Sequence, residues 1–182
     1  MKFRDSKIAH KYLDGLNGIE IGGSAHNPFN LNTINVDFTD ELTIYKKEEI
    51  NLCGEYMKVD VVSDAINLPF ENEKYDFVIS SHQIEHCFNI IDTIREYIRV
   101  IKNDGYVLLI APKPEVVKED RPVLFDEFLS RVGTKNNGDG GHCSVCSLKT
   151  IKEIFKFLDL KIIEALKTDD KVGNGWLIIG KK

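Results

Sequence analysis

A chain of 182 residues with 42% hydrophobic and 29% charged side chains has enough apolar material for one folded domain, which excludes disordered, collagen-like and low-complexity classes. Its net charge of -5 supplies no overall basic field for a phosphate backbone, so nucleic acid is not an expected partner. No stretch approaches the roughly 20 apolar residues of a membrane span, and the N-terminal "MKFRDSKIAHKYL" lacks the apolar core of a secretory signal, so a cytoplasmic protein without membrane insertion is expected.

In chain order, Ile8, Tyr12, Leu13 and Leu16 predict a short N-terminal helix. The apolar run Gly18–Ile21 predicts a first strand that stops at two glycines in "GIEIGGSAHNPF". A second strand, Ile34–Phe38, carries Asp37 near its end. Glu41–Leu52 predicts a helix, and Val59–Ser63 a third strand followed by Asp64-Ala65 and Leu68-Pro69-Phe70. The fourth strand, Phe77–Ser80, runs into "SSHQIEH", with Glu85 and His86 expected inside a following helix as solvated or packing residues.

Ile90, Ile94, Tyr97, Ile98 and Ile101 lie on one face of an amphipathic helix that ends before the turn sequence "NDG". Tyr106–Ala111 is the fifth strand. Pro112 to Cys146 changes character, with two X-Pro steps, a short helix candidate "VLFDEFLSRV" and then "GTKNNGDGGHCSVC"; a long irregular connection of this kind reads as a lid. Ser147 is placed to cap a helix bearing Leu148, Ile151, Ile154, Phe155 and Leu158. The last strands, Leu160–Leu166 and Trp176–Gly180, are joined by a segment too short for a helical crossover, so they pair as an antiparallel hairpin. The expected architecture is α/β, a doubly wound and mostly parallel seven-stranded sheet in one domain, 1–182, with a lid or insert at about 113–146.

Open parallel sheets bind ligands beyond the carboxyl ends of their strands, where the strand order reverses. After the first strand, Gly22, Gly23 and Ser24 let the backbone approach a ligand. Asp37 ends the second strand, where a carboxylate can accept hydrogen bonds from both hydroxyls of a ribose. A nicotinamide cofactor would need a G-x-G-x-x-G loop for its pyrophosphate, and this chain offers "GGSAHN" instead.

Taken together, "EIGGS", Asp37, Asp64-Ala65 with Leu68-Pro69-Phe70, "YDFVISSHQIEH" and "RVIKNDG" resemble, in order and spacing, the motifs of class I S-adenosylmethionine-dependent methyltransferases. The likeness is to small single-domain members related to the ubiquinone-biosynthesis type, and covers roughly Gly18 to Pro112. It implies a Rossmann-like sheet ending in an antiparallel hairpin, S-adenosylmethionine as cofactor, and methyl transfer to a small-molecule acceptor. It also implies that Glu20, Gly22, Gly23 and Ser24 surround the methionine moiety, that Asp37 holds the ribose, that Asp64 and Ala65 face the adenine, and that Ser80 and Ser81 border the cofactor. The chain departs from the family in its loop, where Ser24 and His26 replace later glycines and the connection to the second strand is short. A methyltransferase-like module without catalysis is the alternative.

Methyl transfer needs positioning, and a base when the acceptor must lose a proton. His82, directly after the fourth strand, and His142, bordering the acceptor side, are the catalytic candidates. Cys143 and Cys146 form one Cys-x-x-Cys pair, with His142 beside it and His82 or His86 as a distant further ligand. Structural zinc sites usually carry two such pairs, so the cysteines are expected as reduced, small hydrophobes and no metal is expected.

Overall fold

The computed structural model describes residues 3–23, 29–134 and 141–182. Helix α1 (Lys7–Leu13) precedes strand β1 (Gly18–Ile21) and strand β2 (Thr33–Asp37). Helix α2 (Ile44–Cys53) leads to β3 (Val61–Val62) and β4 (Tyr75–Ser81), and a single 3-10 turn, Ile84–His86, comes before α3 (Ile90–Val100). Strand β5 (Ile101–Pro112) is followed by α4 (Phe125–Arg131), α5 (Leu148–Phe157), β6 (Lys161–Leu166) and β7 (Gly175–Lys181).

The strands form one seven-stranded sheet in the order β3-β2-β1-β4-β5-β7-β6. β1 pairs in parallel with both β2 and β4, so the order reverses beside β1, while β7 runs antiparallel to β5 and β6. This is the Rossmann-like sheet with its C-terminal hairpin, as the resemblance implied.

Both faces of the sheet are covered, and side chains alternate between them. Ile19, Ile21, Val78, Val107 and Leu109 pack with Ile91, Ile94 and Tyr97 of α3 and with Ile151 and Ile154 of α5. The opposite positions, Phe77, Ile79, Leu108 and Ile110, pack with Ala9 and Leu13 of α1. Fully burying such side chains stabilises by roughly 1.5–3 kcal/mol each, so α3, with Ile90, Ile91, Ile94, Tyr97 and Val100 inside, anchors one face. Ser6 caps α1, accepting from Ala9 N, and Asp170 of the β6–β7 connection accepts from Ile8 N at 2.9 Å, tying the N-terminus to the hairpin.

Three elements differ from the sequence expectation. β3 pairs only at Val61 and Val62; ahead of it the Asn35 carbonyl of β2 still accepts from Asp60 N, but its amide donates to the Asp60 carboxylate and its side chain to the Lys58 carbonyl. The "NDG" segment lies inside β5 as a bulge, since Tyr75 pairs with Ile101 and Phe77 already with Tyr106. The helix expected around Glu85 is only a turn. Beyond it, the carbonyls of Cys87 and Phe88 accept from Ser144 Oγ and Arg131 instead of from helical amides.

Candidate active site

Register places the carboxyl ends of four strands side by side. Ile21 faces Val36 and Ser80, Asp37 faces Val62, and Ser81 faces Ile110, so Gly22, Asp37, Asp64 and His82 all follow at one edge of the sheet. Gly22 N donates to Val36 O at 2.8 Å and continues the ladder one residue beyond β1. Its φ of 67° lies in the left-handed region, and a Cβ there would come 2.6 Å from Gln83 Cγ. The glycine therefore lets the β1 turn close onto the residue that follows His82.

Beneath this turn lies a buried polar group. Gly23 N donates to Asn35 Oδ1 at 3.3 Å, and a Cβ on Gly23 would stand 3.0 Å from Glu20 Oε1. Glu20 is 2% exposed, and burial pushes its carboxyl up to about 7, against the attraction of Lys171, itself 2% exposed with its ammonium over the Phe29 ring. Glu49 of α2 is also raised to about 7 by burial, and accepts from Met57 N. Asn35, Glu49 and Lys171 carried no motif and were not found from sequence.

Asp37 is 6% exposed; Oδ1 accepts from Phe38 N at 2.7 Å and Oδ2 lies 3.6 Å from the ammonium of Lys46, which has no exposed surface. Each carboxylate oxygen keeps a second lone pair for a ribose hydroxyl. Asp64 is exposed and accepts from Ile66 N, while Ala65 is buried beside it. Ser80 is buried and its hydroxyl donates to Gln83 Oε1, which also receives the Tyr97 hydroxyl. Ser81 Oγ is buried without a hydrogen-bond partner. Ser24 lies outside the described residues.

His82 adopts a φ of 54°, uncommon for a non-glycine residue, and its Nδ1 lies 3.6 Å from Glu85 Oε1. Glu85 is 1% exposed, not solvated, and its Oε2 has no hydrogen-bond partner. Ligand atoms of Glu85, His86 and His142 lie within 4.8 Å of one another. His142 arrives there because Cys143 N and Ser144 N both donate to Glu85 O at 2.9 Å. Arg131 clamps the same junction, donating to Phe88 O, Cys143 O and Ser144 Oγ, while its own carbonyl accepts from Asn89. Cys146 is core, with its thiol pushed up to about 12 by burial, which agrees with its reading as a small hydrophobe.

A cavity of about 1300 Å³ lies between α5, β6 and the residues after β5, and neither Gly22, Asp37 nor Asp64 lines it. Size alone does not mark the site. The convergence of chemistry at the strand ends carries more weight, because parallel sheets bind there.

Residues 20–109 match the model of the family described as a methyltransferase domain, and that span holds the β1 turn, Asp37, Asp64 and His82. By that match residues 20–109 are a methyltransferase domain, and the sheet is the one found in S-adenosylmethionine-dependent methyltransferases of known structure. It is 26% identical over 162 residues to the uncharacterized methyltransferase YcgJ of Bacillus subtilis, covering 85% of this chain and 58% of that protein. It is 28% identical over 141 residues to the uncharacterized protein MJ1252 of Methanocaldococcus jannaschii, covering 76% of this chain and 53% of that protein. The chain thus spans little more than half the length of these curated relatives. A solved S-adenosylmethionine-dependent methyltransferase from Methanosarcina mazei superposes with a TM-score of 0.61 at 15% identity, covering 98% of this chain and 99% of that one, a likeness of fold.

S-adenosylmethionine is this methyltransferase family's cofactor, and the residues present fit it. Asp37 has free acceptor capacity for a diol, Ser81 Oγ is an orphaned buried hydroxyl at the same edge, and glycines keep the β1 turn clear of side chains. Among the described residues, no helix is long and apolar enough to cross a membrane.

Proposed function

We propose that this methyltransferase transfers the methyl group of S-adenosylmethionine to a small-molecule acceptor, within one catalytic unit of about 1–182. The observation that carries the reading is the alignment of Gly22, Asp37, Asp64 and His82 at adjacent strand ends beside the order reversal. The cofactor supplies an electrophilic methyl group on a sulfonium. Asp37 accepts from the ribose hydroxyls, Asp64 and Ala65 border the adenine, and Gly22 and Gly23 present backbone toward the methionine tail above the Glu20 carboxyl. Ser80 positions Gln83, and Ser81 offers its hydroxyl at the cofactor's edge.

His82 is the base for an acceptor that must lose its proton, held at the end of β4 beside Glu85. His142 contacts the acceptor, and the segment 113–146, of which 135–140 lie outside the described residues, serves that side of the crevice as a lid. The net charge of -5 argues for a small molecule over nucleic acid, and the protein acts in the cytoplasm.

Calorimetric titration tests the cofactor half: S-adenosylmethionine and its demethylated product bind, and no binding at millimolar concentration sinks the proposal. Turnover is read as formation of the demethylated product across a panel of small acceptors. Binding without product across that panel favours the non-catalytic module.

A further inference from the structure

We propose that Glu85, His86 and His142 form a binding site for one divalent transition metal ion of the zinc class. One carboxylate and two imidazoles are a donor set that suits zinc, and ligand atoms of the three residues lie within 4.8 Å of one another. A tetrahedral ion with bonds of about 2.0–2.1 Å holds its ligands roughly 3.4 Å apart, so the ligand atoms need close by at most about 1.4 Å.

Three further observations point to a ligand. Glu85 is 1% exposed, yet its Oε2 has no hydrogen-bond partner; a buried carboxylate oxygen left so costs free energy that a cation would recover. His142 Nδ1 lies 2.7 Å from Asp120 Oδ2, and in the Nδ1–H tautomer this contact is a hydrogen bond that fixes the ring and leaves Nε2 to a metal. A carboxylate behind a histidine is the usual support of a metal ligand. The backbone also builds the site, since Cys143 N and Ser144 N both bond Glu85 O and set the His142 segment against the turn that carries Glu85 and His86. A cavity of about 230 Å³ lined by Asp120, Arg131, His142 and Cys143 borders His142 on its Asp120 side.

Three protein ligands leave a fourth coordination position for water or a ligand atom, the open kind of site rather than a structural one. The ion would sit beside His82, through Glu85, at the acceptor end of the crevice. The two cysteines are not needed: Cys146 is core, and Cys143 Sγ bonds the His86 carbonyl at 3.3 Å.

The test uses the full chain stripped by a chelator and titrated with Zn²⁺ by calorimetry and with Co²⁺ by visible absorption. One equivalent is expected, with cobalt bands of four or five coordination and no sulfur-to-cobalt charge transfer. His86→Ala and His142→Ala should each lower affinity by about 100-fold or more. Asp120→Asn, which touches no ligand atom of the ion, should lower it about 10- to 100-fold at unchanged circular dichroism. A wild-type protein that binds no equivalent overturns the proposal; so do His142→Ala and Asp120→Asn variants with wild-type affinity, or a thiolate band lost in Cys143→Ser. None of these measurements uses S-adenosylmethionine, so their failure is separate from any failure of methyl transfer.

Discussion

Lys46 Nζ, with no exposed surface, lies 3.6 Å from Asp37 Oδ2 and donates to the carbonyls of Thr39 and Glu41. The ammonium thus compensates the carboxylate proposed to hold the ribose and folds the β2–α2 turn around it. Lys46→Met leaves a buried carboxylate and two carbonyls without their partner, at a cost of about 3–5 kcal/mol in urea denaturation. Cofactor affinity should fall at least about tenfold, since Asp37 loses the group that orients it. Asp37→Ala should weaken S-adenosylmethionine while sparing part of the stability. Calorimetry showing wild-type affinity for Asp37→Ala removes Asp37 from the ribose role.

Gly22→Ala meets two obstacles. Its φ of 67° disfavours any side chain by roughly 1–2 kcal/mol, and the new methyl would stand 2.6 Å from Gln83 Cγ. Gln83 cannot yield freely, because it receives the hydroxyls of Ser80 and Tyr97 and donates to Cys87 Sγ. Thermal unfolding should show a loss of about 2–3 kcal/mol, with cofactor binding reduced more than stability. Unchanged binding would mean that the β1 turn lies outside the cofactor site.

The sheet was legible because its strands are short apolar runs bounded by glycine, proline and acidic residues, and its period-3.6 helices α3 and α5 stand out from them. The resemblance then ordered Glu20, Gly22, Asp37 and Asp64 at one edge, where the register places them. What stayed hidden depends on contacts distant in sequence. Lys46, Asn35 and Lys171 read as ordinary polar residues until folding buries them against Asp37, Gly23 and Glu20. Glu85 reads as a solvated or packing residue of a helix; it does pack, but in a single turn. The carbonyls beyond it are claimed by Arg131 and Ser144, some 43 and 56 residues away in sequence, and no local pattern announces that.

Arg131 joins the segment 113–146 to the end of β4. It is 8% exposed, spends NH1 on Phe88 O, Cys143 O and Ser144 Oγ, and stacks 4.3 Å over the Phe88 ring. Arg131→Met should cost about 3 kcal/mol and expose the segment to limited proteolysis. Most of the proposed cofactor residues, Gly22, Asp37 and Asp64, stand at β1, β2 and the turn after β3, with only Ser80 and Ser81 on β4, so S-adenosylmethionine affinity should change less than about twofold while kcat/KM for the acceptor falls. Equal loss of both would mean that this segment supports the cofactor side as well.

Glu20 makes stability fall as pH rises. Its carboxyl is held up to about 7 by burial, against an ordinary 4.5, so between these values the folded chain keeps a proton that the unfolded chain has lost. The stabilising contribution is complete below pH 4.5, declines at up to about 1.4 kcal/mol per pH unit, and is gone above about pH 7. Glu49, raised to about 7 as well, adds to the same window, so Glu20→Gln should flatten only part of the slope seen by urea denaturation between pH 5 and 8. Lys171, lowered by burial, works in the opposite sense at higher pH. Cofactor affinity should run against stability: a sulfonium is cationic at every pH, so ionising Glu20 favours it and affinity rises through about pH 7. In Glu20→Gln that rise should disappear. A variant that keeps the wild-type pH profile of binding would assign the titration to another group.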